Sequence, residues 1–481
     1  MTIIRHDSEY NGMAEVWWSS EQNPGSRQWF SRPEEIRYAL SRMPDIPFSA
    51  PSASACGTTI PIDPGIQRQE MLGIGISMEE STVFNLRRMS ERAREDVMAL
   101  LLDPERGAGF SLVRVTLGTS DFTGQPFYTY DDIEEGGSDF ELEHFSIRKD
   151  IELGIVSTLR RMKEISPELK FFASSWSPPA WMKTSGDLKR GMLKEGRQYT
   201  DTLAKYFRMA IEAYAAEGIT LHAITLQNEP LLEIDYPSCR MTPERQRELA
   251  LALRKELDAR GLDTAIWIFD HNFSDAWEYA APILNDSSAY RAVDGIALHD
   301  YEGEPSVMRE LGSAYPRHSI HLTERSLWGT KGADRLIRYF REGASSYNAW
   351  VTMLDSKFGR HQWVGTPDPT LLVQDASNPD RIWATPELYL TAQFARFVRP
   401  GARLLGTPYG SEDTVTNAAF RNPDGSTAIV VVNRTAREQT VRILTEGRQL
   451  ETAVPSKTTA TYVWKGASQE DAVPDNRIIR K

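Results

Sequence analysis

The feature that most constrains this chain is an alternation. From about Gln69, apolar runs of strand length alternate with amphipathic helical patterns, as repeated βα units require. The runs are Met71–Met78, Ser111–Gly118, Leu169–Ser177, His222–Pro230, Ala265–Phe273, Val293–Tyr301, His318–Ser326 and Tyr347–Asp355. Between them the helical spacing is clear. In Gln198–Gly218, Leu203, Phe207, Ala210, Ile211 and Tyr214 fall on one face. Thr242-Pro243-Glu244 combines an N-capping Thr, Pro in the first turn and an early acid. Eight such units over about 330 residues predict an α/β fold, a (β/α)8 TIM barrel. An open doubly wound sheet would want a Gly-rich phosphate loop after its first strand, and Gly73-Ile74-Gly75 does not complete one.

The two ends read differently. Ala14–Ser20 and Gly57–Asp63 are β-like, separated by a stretch that includes a Pro- and Ser-rich segment from Met43 to Ser54. After Arg399-Pro400-Gly401 only strands follow: Ala418–Arg421 and Thr427–Asn433 flank the turn Asn422-Pro423-Asp424-Gly425, then come Gln439–Leu444 and Thr458–Trp464. The N-terminal strands have no sheet of their own. The expected layout is therefore a small β-sandwich side domain from residues 1–65 and 400–481, a catalytic barrel over residues 66–399, and a frayed polar tail from Gly466.

Charge and composition narrow the partners. A net charge of −12 disfavours nucleic acid and anionic membranes and suits a neutral substrate. Two cysteines, Cys56 and Cys239, make neither a disulfide framework nor a metal cluster, and eight scattered histidines include no zinc-binding spacing. Neither cofactor nor metal is expected. Nothing in the sequence has the length of a membrane span, and MTIIRHDSEYNG lacks the pattern of a signal peptide, so the cytoplasm is the expected compartment. Oligomeric state is not legible.

The chemistry collects where the strands end. Pro230 forbids a further ladder bond, leaving Asn228 and Glu229 at the C-terminal lip of the fourth strand, the end at which barrels of this kind do chemistry. The second run carries Arg114, with Asp121 just beyond. The third ends on Ser174-Ser175-Trp176-Ser177-Pro178-Pro179-Ala180-Trp181, the sixth on His299-Asp300-Tyr301 and the seventh on Thr323-Glu324-Arg325, while the eighth carries Trp350. Glutamates on strands four and seven face one another across a barrel mouth. A facing carboxylate pair without a metal is what glycoside hydrolysis needs.

These motifs resemble those of glycoside hydrolase family 30, the glucosylceramidase-like β-glycosidases. The likeness runs from about Trp17 to Trp464 and includes LVRVTLGTSDFT (Leu112–Thr123), SSWSPPAWMKTSG (Ser174–Gly186), TLQNEP (Thr225–Pro230), YPSCRMTPERQ (Tyr236–Gln246), HDY (His299–Tyr301) and LTE (Leu322–Glu324). The resemblance implies Glu229 as general acid/base, Glu324 as nucleophile and Asn228 on the sugar 2-hydroxyl. It places Arg114, Asp121, Trp176, Tyr301 and Trp350 around the non-reducing sugar. His299 is read either with that subsite or as a core histidine bonded to backbone. Glu229 is expected to stay protonated near neutral pH through burial or the charge of Glu324. Trp176 and Trp350 offer flat apolar faces to a ring or else plug the barrel, and Arg114 either holds Glu324 ionised or simply partners a buried acid.

Departures from the family pattern fall on the leaving-group side. The sixth-strand motif has Asp300 where an aromatic is usual, Gln362 stands where Asn is common, and the loop from Trp328 to a helix near Ala333 is short. The expected activity is a retaining β-glucosidase of glucosylceramidase-like type acting on a carbohydrate or glycoconjugate. The alternatives are a β-1,6-glucanase and, in another class, an inactive sugar-binding protein.

Overall fold

The computed structural model describes residues 12–21, 39–52 and 57–466. Cys56, the opening segment through Asn11 and the tail beyond Gly466 lie outside the described residues. Eight parallel strands close into a barrel: β1 (Gly73–Ser77), β2 (Leu112–Leu117), β3 (Lys170–Ser175), β4 (Leu221–Thr225), β5 (Ala265–Asn272), β6 (Gly295–His299), β7 (Ser319–Arg325) and β8 (Ala344–Ala349). Each neighbours its successor and β8 closes on β1, so the run-by-run expectation of a TIM barrel holds.

The barrel interior changes character with height. Leu112, Phe172, Ala223, Trp267 and Ala297 form an apolar plug low in the barrel, on which His321 stacks against Trp267 at 3.8 Å. Two residues further along the same strands come Arg114, Ser174, Thr225 and His299, all buried. Side chains two apart share a face, so one layer of the interior is hydrocarbon and the next is polar. A polar layer at that depth survives only if its members satisfy one another.

The outer helices follow the expected signals. Helix Arg197–Ala216 buries Leu203, Phe207, Ala210, Ile211 and Tyr214. Helix Pro243–Arg260 starts on Thr242, whose hydroxyl accepts from Arg245 N at 3.3 Å, and ends on Gly261 with φ 64°.

At the other end of the molecule, Met13–Ser20 pairs antiparallel with Thr458–Lys465, and the seven-stranded sheet continues through Ser426–Asn433, Thr416–Arg421 and Arg403–Gly406 to Asp63–Glu70. Facing it is a three-stranded sheet of Arg448–Val454, Gln439–Thr445 and Thr58–Pro61. Val16, Ile429, Val431, Val441, Ile443 and Tyr462 fill the space between them.

Four boundaries differ from expectation. Ser41–Pro47 is a strand, although it overlaps the Pro- and Ser-rich segment; it lies at the sheet edge, where a strand tolerates Pro44 and Pro47. β4 stops at Thr225, five residues before Pro230. The eighth run splits: Ala344–Ala349 is barrel, whereas Met353–Asp355 joins a separate sheet with Leu372–Asp375 and Asn378–Ala384. The helix expected near Ala333 begins earlier, at Gly329.

Candidate active site

The lip after β4 is pinned from both sides. Asn228 N donates to Ser175 O at 2.8 Å and Glu229 N to Asp270 O at 2.9 Å. Glu229 itself takes the left-handed conformation, φ 48°, which costs a residue with a Cβ about 1–2 kcal/mol. Backbone strain of this kind is tolerated where a side chain must be aimed. Two bulges do similar work next door. Along β5, Phe269 pairs with Ala297 and His271 with Leu298, so Asp270 is the extra residue. Along β7, Leu322 pairs with Leu298 and Glu324 with His299, leaving Thr323 as the extra one. A bulge re-aims the side chains beside it, and here both Asp270 and Thr323 turn into the polar layer.

Arg114 is the hub of that layer. Its guanidinium donates to Glu324 Oε2, to Asn228 Oδ1 at 2.8 Å, to Asp270 Oδ2 at 3.0 Å and to Ser174 Oγ at 3.0 Å. Trp176 and Trp350 stack on each other with centroids 5.2 Å apart, and Arg114 Cζ lies 4.8 and 5.2 Å from their ring centres. Both rings border the catalytic cavity, yet they also form the sleeve that holds the arginine.

Asp270 is fully buried and accepts from Thr225 and Thr323, each at 2.6 Å, besides Arg114. Burial would raise its pKa, but Arg114 and His299 hold the carboxyl well below the usual range. His299 Nε2 meets Asp270 Oδ1 at 3.1 Å and lies 3.8 Å from Glu324 Oε2, while Nδ1 lies 3.4 Å from Glu229 Oε1. Burial would drive the proton off this imidazole. The surrounding carboxylates, Glu324 and Asp270 foremost, outweigh it and raise the pKa to about 10.

Glu229 therefore sits in an environment that its sequence context did not reveal. Burial favours its neutral form, but His271 Nδ1 at 3.6 Å and His299 Nδ1 at 3.4 Å pull its pKa below the ordinary value. The expectation that Glu229 alone stays protonated is replaced by a pair, Glu229 and His299, that holds one proton between them. His299 thus bonds carboxylates rather than backbone.

The remaining expected residues converge on one cavity of about 390 Å³, bordered by Asp121, Asn228, Glu229, Tyr301, Glu324 and Trp350. Tyr301 donates to Glu324 Oε1 at 2.8 Å. Burial, with the charges of Glu324 and Glu229, pushes the Asp121 carboxyl well above its ordinary pKa. Leu232, Ile234 and Trp363 supply apolar walls. Gln362, one of the departures, lies behind the wall and donates to Thr123 O and Gln125 O at 3.1 and 2.7 Å.

Sequence reasoning passed over Asp270, His271 and Tyr236, whose hydroxyl lies 3.4 Å from Glu229 Oε2. A signal was present: the fifth run also ends on a polar string, Asp270-His271-Asn272. Glu229, His271 and His299 place metal-capable atoms within 4.8 Å of one another, as do Asp131, Asp139 and His144. Spacing along the chain cannot show the first group, which comes from three different strands. Cys239 is buried with its thiol pushed up to about 11 by burial, as befits a packing residue.

Residues 71–397 match the glycosyl hydrolase family 30 TIM-barrel domain and residues 401–462 the glycosyl hydrolase family 30 beta sandwich domain. An endo-1,6-beta-D-glucanase from Aspergillus fumigatus is 30% identical over 427 residues, covering 83% of this chain and 86% of that protein. The lysosomal acid glucosylceramidase of Mus musculus is 26% identical over 467 residues, 91% of this chain and 89% of that one. The solved structure of an endo-beta1,6-glucanase superposes with a TM-score of 0.83 at 26% identity, over 95% of this chain and 100% of that one. No described helix is long and apolar enough to cross a membrane.

Proposed function

The chain belongs to glycosyl hydrolase family 30, and from that premise we propose that it hydrolyses β-glucosides by double displacement, with Glu324 as nucleophile and Glu229 as proton donor and acceptor. One observation carries the reading: Glu229 and Glu324 approach opposite nitrogens of the same imidazole, at 3.4 and 3.8 Å, at the C-terminal mouth of the barrel. Arg114 and Tyr301 hold one oxygen each of Glu324, which fixes the orientation of the carboxylate. In the first step Glu324 attacks the anomeric carbon while the leaving oxygen takes a proton from Glu229. Glu229 draws that proton from His299 Nδ1, where the resting pair keeps it, and is left ionised beside a neutral imidazole. In the second step water attacks the same carbon and gives its proton to Glu229, whose depressed pKa lets it wait as a base; the product keeps its configuration. Because Arg114 occupies Asn228 Oδ1, the amide nitrogen is the part of Asn228 left to donate to a sugar hydroxyl.

Two leaving groups are compatible with this chemistry, a lipid and a sugar. The glucosylceramidase relatives support the first, and the endo-1,6-glucanase relatives support the second equally well. Incubation with a 2-deoxy-2-fluoro β-glucoside tests the mechanism. The expected outcome is a stable adduct on the peptide containing Glu324, read by mass spectrometry. Glu324→Ala should lose about 10⁴-fold or more in kcat, with azide restoring part of it as the inverted glycosyl azide. An adduct elsewhere, or turnover in the variant without azide, would sink the nucleophile assignment.

A further inference from the structure

The catalytic cavity does not stand alone. It shares Tyr301 and Asp368 with a second cavity of about 740 Å³ that reaches from the ends of β6 and β7 to Glu412 and Arg434 in the sandwich. That volume is in the range of sites that take small molecules. Among the described residues lining it are five carboxylates and five cationic side chains. Most are already paired. Arg335 grips Asp300 with two bonds of 2.7 Å. Arg434 lies 3.0 Å from Asp334 and 2.6 Å from Glu412, and Glu412 also meets Arg338. Arg325 stands 3.6 Å from Asp368 with its guanidinium 4.9 Å from the ring centre of Tyr301.

We propose that this second cavity receives the leaving half of the substrate, and that this half is a sugar unit rather than a lipid. The inference rests on the β-glucoside reading above and names the leaving group which that reading left open. Balanced charges give no purchase to a ligand of either net sign. An acyl tail laid against them would strip water from ionised groups and return nothing. A polyol can do what water does there, donating hydroxyls to the carboxylates and accepting from the guanidinium and ammonium groups. Tyr301, 41% exposed at the junction and bonded to Glu324, places a flat ring where the second sugar would start.

The test compares three substrates: an aryl β-glucoside, β-1,6-linked glucose oligomers of two to five units, and glucosylceramide in mixed micelles. Lys331 and Glu412 are exposed, line the second cavity and lie away from the catalytic one. In Lys331→Ala and Glu412→Ala, kcat/KM on the oligomers should fall about tenfold, while the aryl glucoside stays within about twofold. Equal change on both substrates, or no change on either, would overturn the assignment. So would faster turnover of glucosylceramide than of any oligomer. Failure of the unaltered enzyme to cleave the aryl β-glucoside would instead remove the β-glucoside reading, and this inference with it.

Discussion

Two arginines in this molecule do the same job at different depths. Arg114 and Arg335 each hold carboxylates at the barrel mouth, one under the catalytic cavity and one beside the charged cavity. The Arg114 side chain is 0% exposed and that of Arg335 24%. Water therefore substitutes for one partner and not for the other. A buried charge left without its partner costs about 3–5 kcal/mol, whereas an exposed pair contributes about 0–1 kcal/mol. The largest expected effect follows. Arg114→Met should lower unfolding free energy by about 3–5 kcal/mol, because Asp270 and Glu324 lose their common donor, and should abolish turnover. Denaturant unfolding followed by circular dichroism reads the first and aryl glucoside hydrolysis the second. A variant as stable as the parent would mean that Asp270 is neutralised by His299 alone.

The next effect probes the same floor through its proton. Between Glu229 and His299 one proton is held until the pH passes the raised pKa of His299, about 10. In His299→Gln the proton can reside only on Glu229, so the basic limb of kcat/KM should move to lower pH by more than one unit. A substrate with a poor leaving group should show it most, since its departure needs the proton. An unmoved limb would detach His299 from the acid step. Folding stability carries the same sign: the stabilisation from His299 is complete below its ordinary value of 6.5 and is lost as the pH rises through about 10. The depressed Glu229 contributes in the opposite sense, above its ordinary 4.5 and lost at more acid pH.

This contrast also marks what could be read from the chain. The barrel was legible because strand and helix periods are local, and so was the placing of Asn228, Glu229 and Glu324 at the barrel mouth, because an apolar run that gives way to polar groups, before Pro230 in one case and at Thr323-Glu324-Arg325 in the other, announces itself. Bulges are not local. Asp270 belongs to the polar layer only because β5 carries one residue more than β6 at that point, and no pattern within Ala265–Phe273 shows a mismatch with a neighbouring strand. The state of Glu229 was hidden for the same reason: its pKa is set by His271 and His299, which arrive from two other strands. The charged cavity is further still from the sequence, since Asp300 lies about a hundred residues from Glu412 and the two meet only when the sandwich docks.

Arg335→Met is the smallest of these effects and the sharpest test of depth as the deciding variable. Asp300 is 7% exposed and keeps the hydroxyl of Tyr339 as a donor when Arg335 is removed. Stability should drop by about 1 kcal/mol, several times less than for Arg114→Met, and the aryl glucoside should be turned over at close to the parent rate. Sodium chloride separates the two sites further. Screening at high salt should shrink the Arg335 difference, because water and ions reach that pair, and leave the Arg114 difference in place. If both variants lose equally and salt changes neither, the second cavity is as dry as the first, and its ion pairs are scaffold like those beneath the catalytic carboxylates.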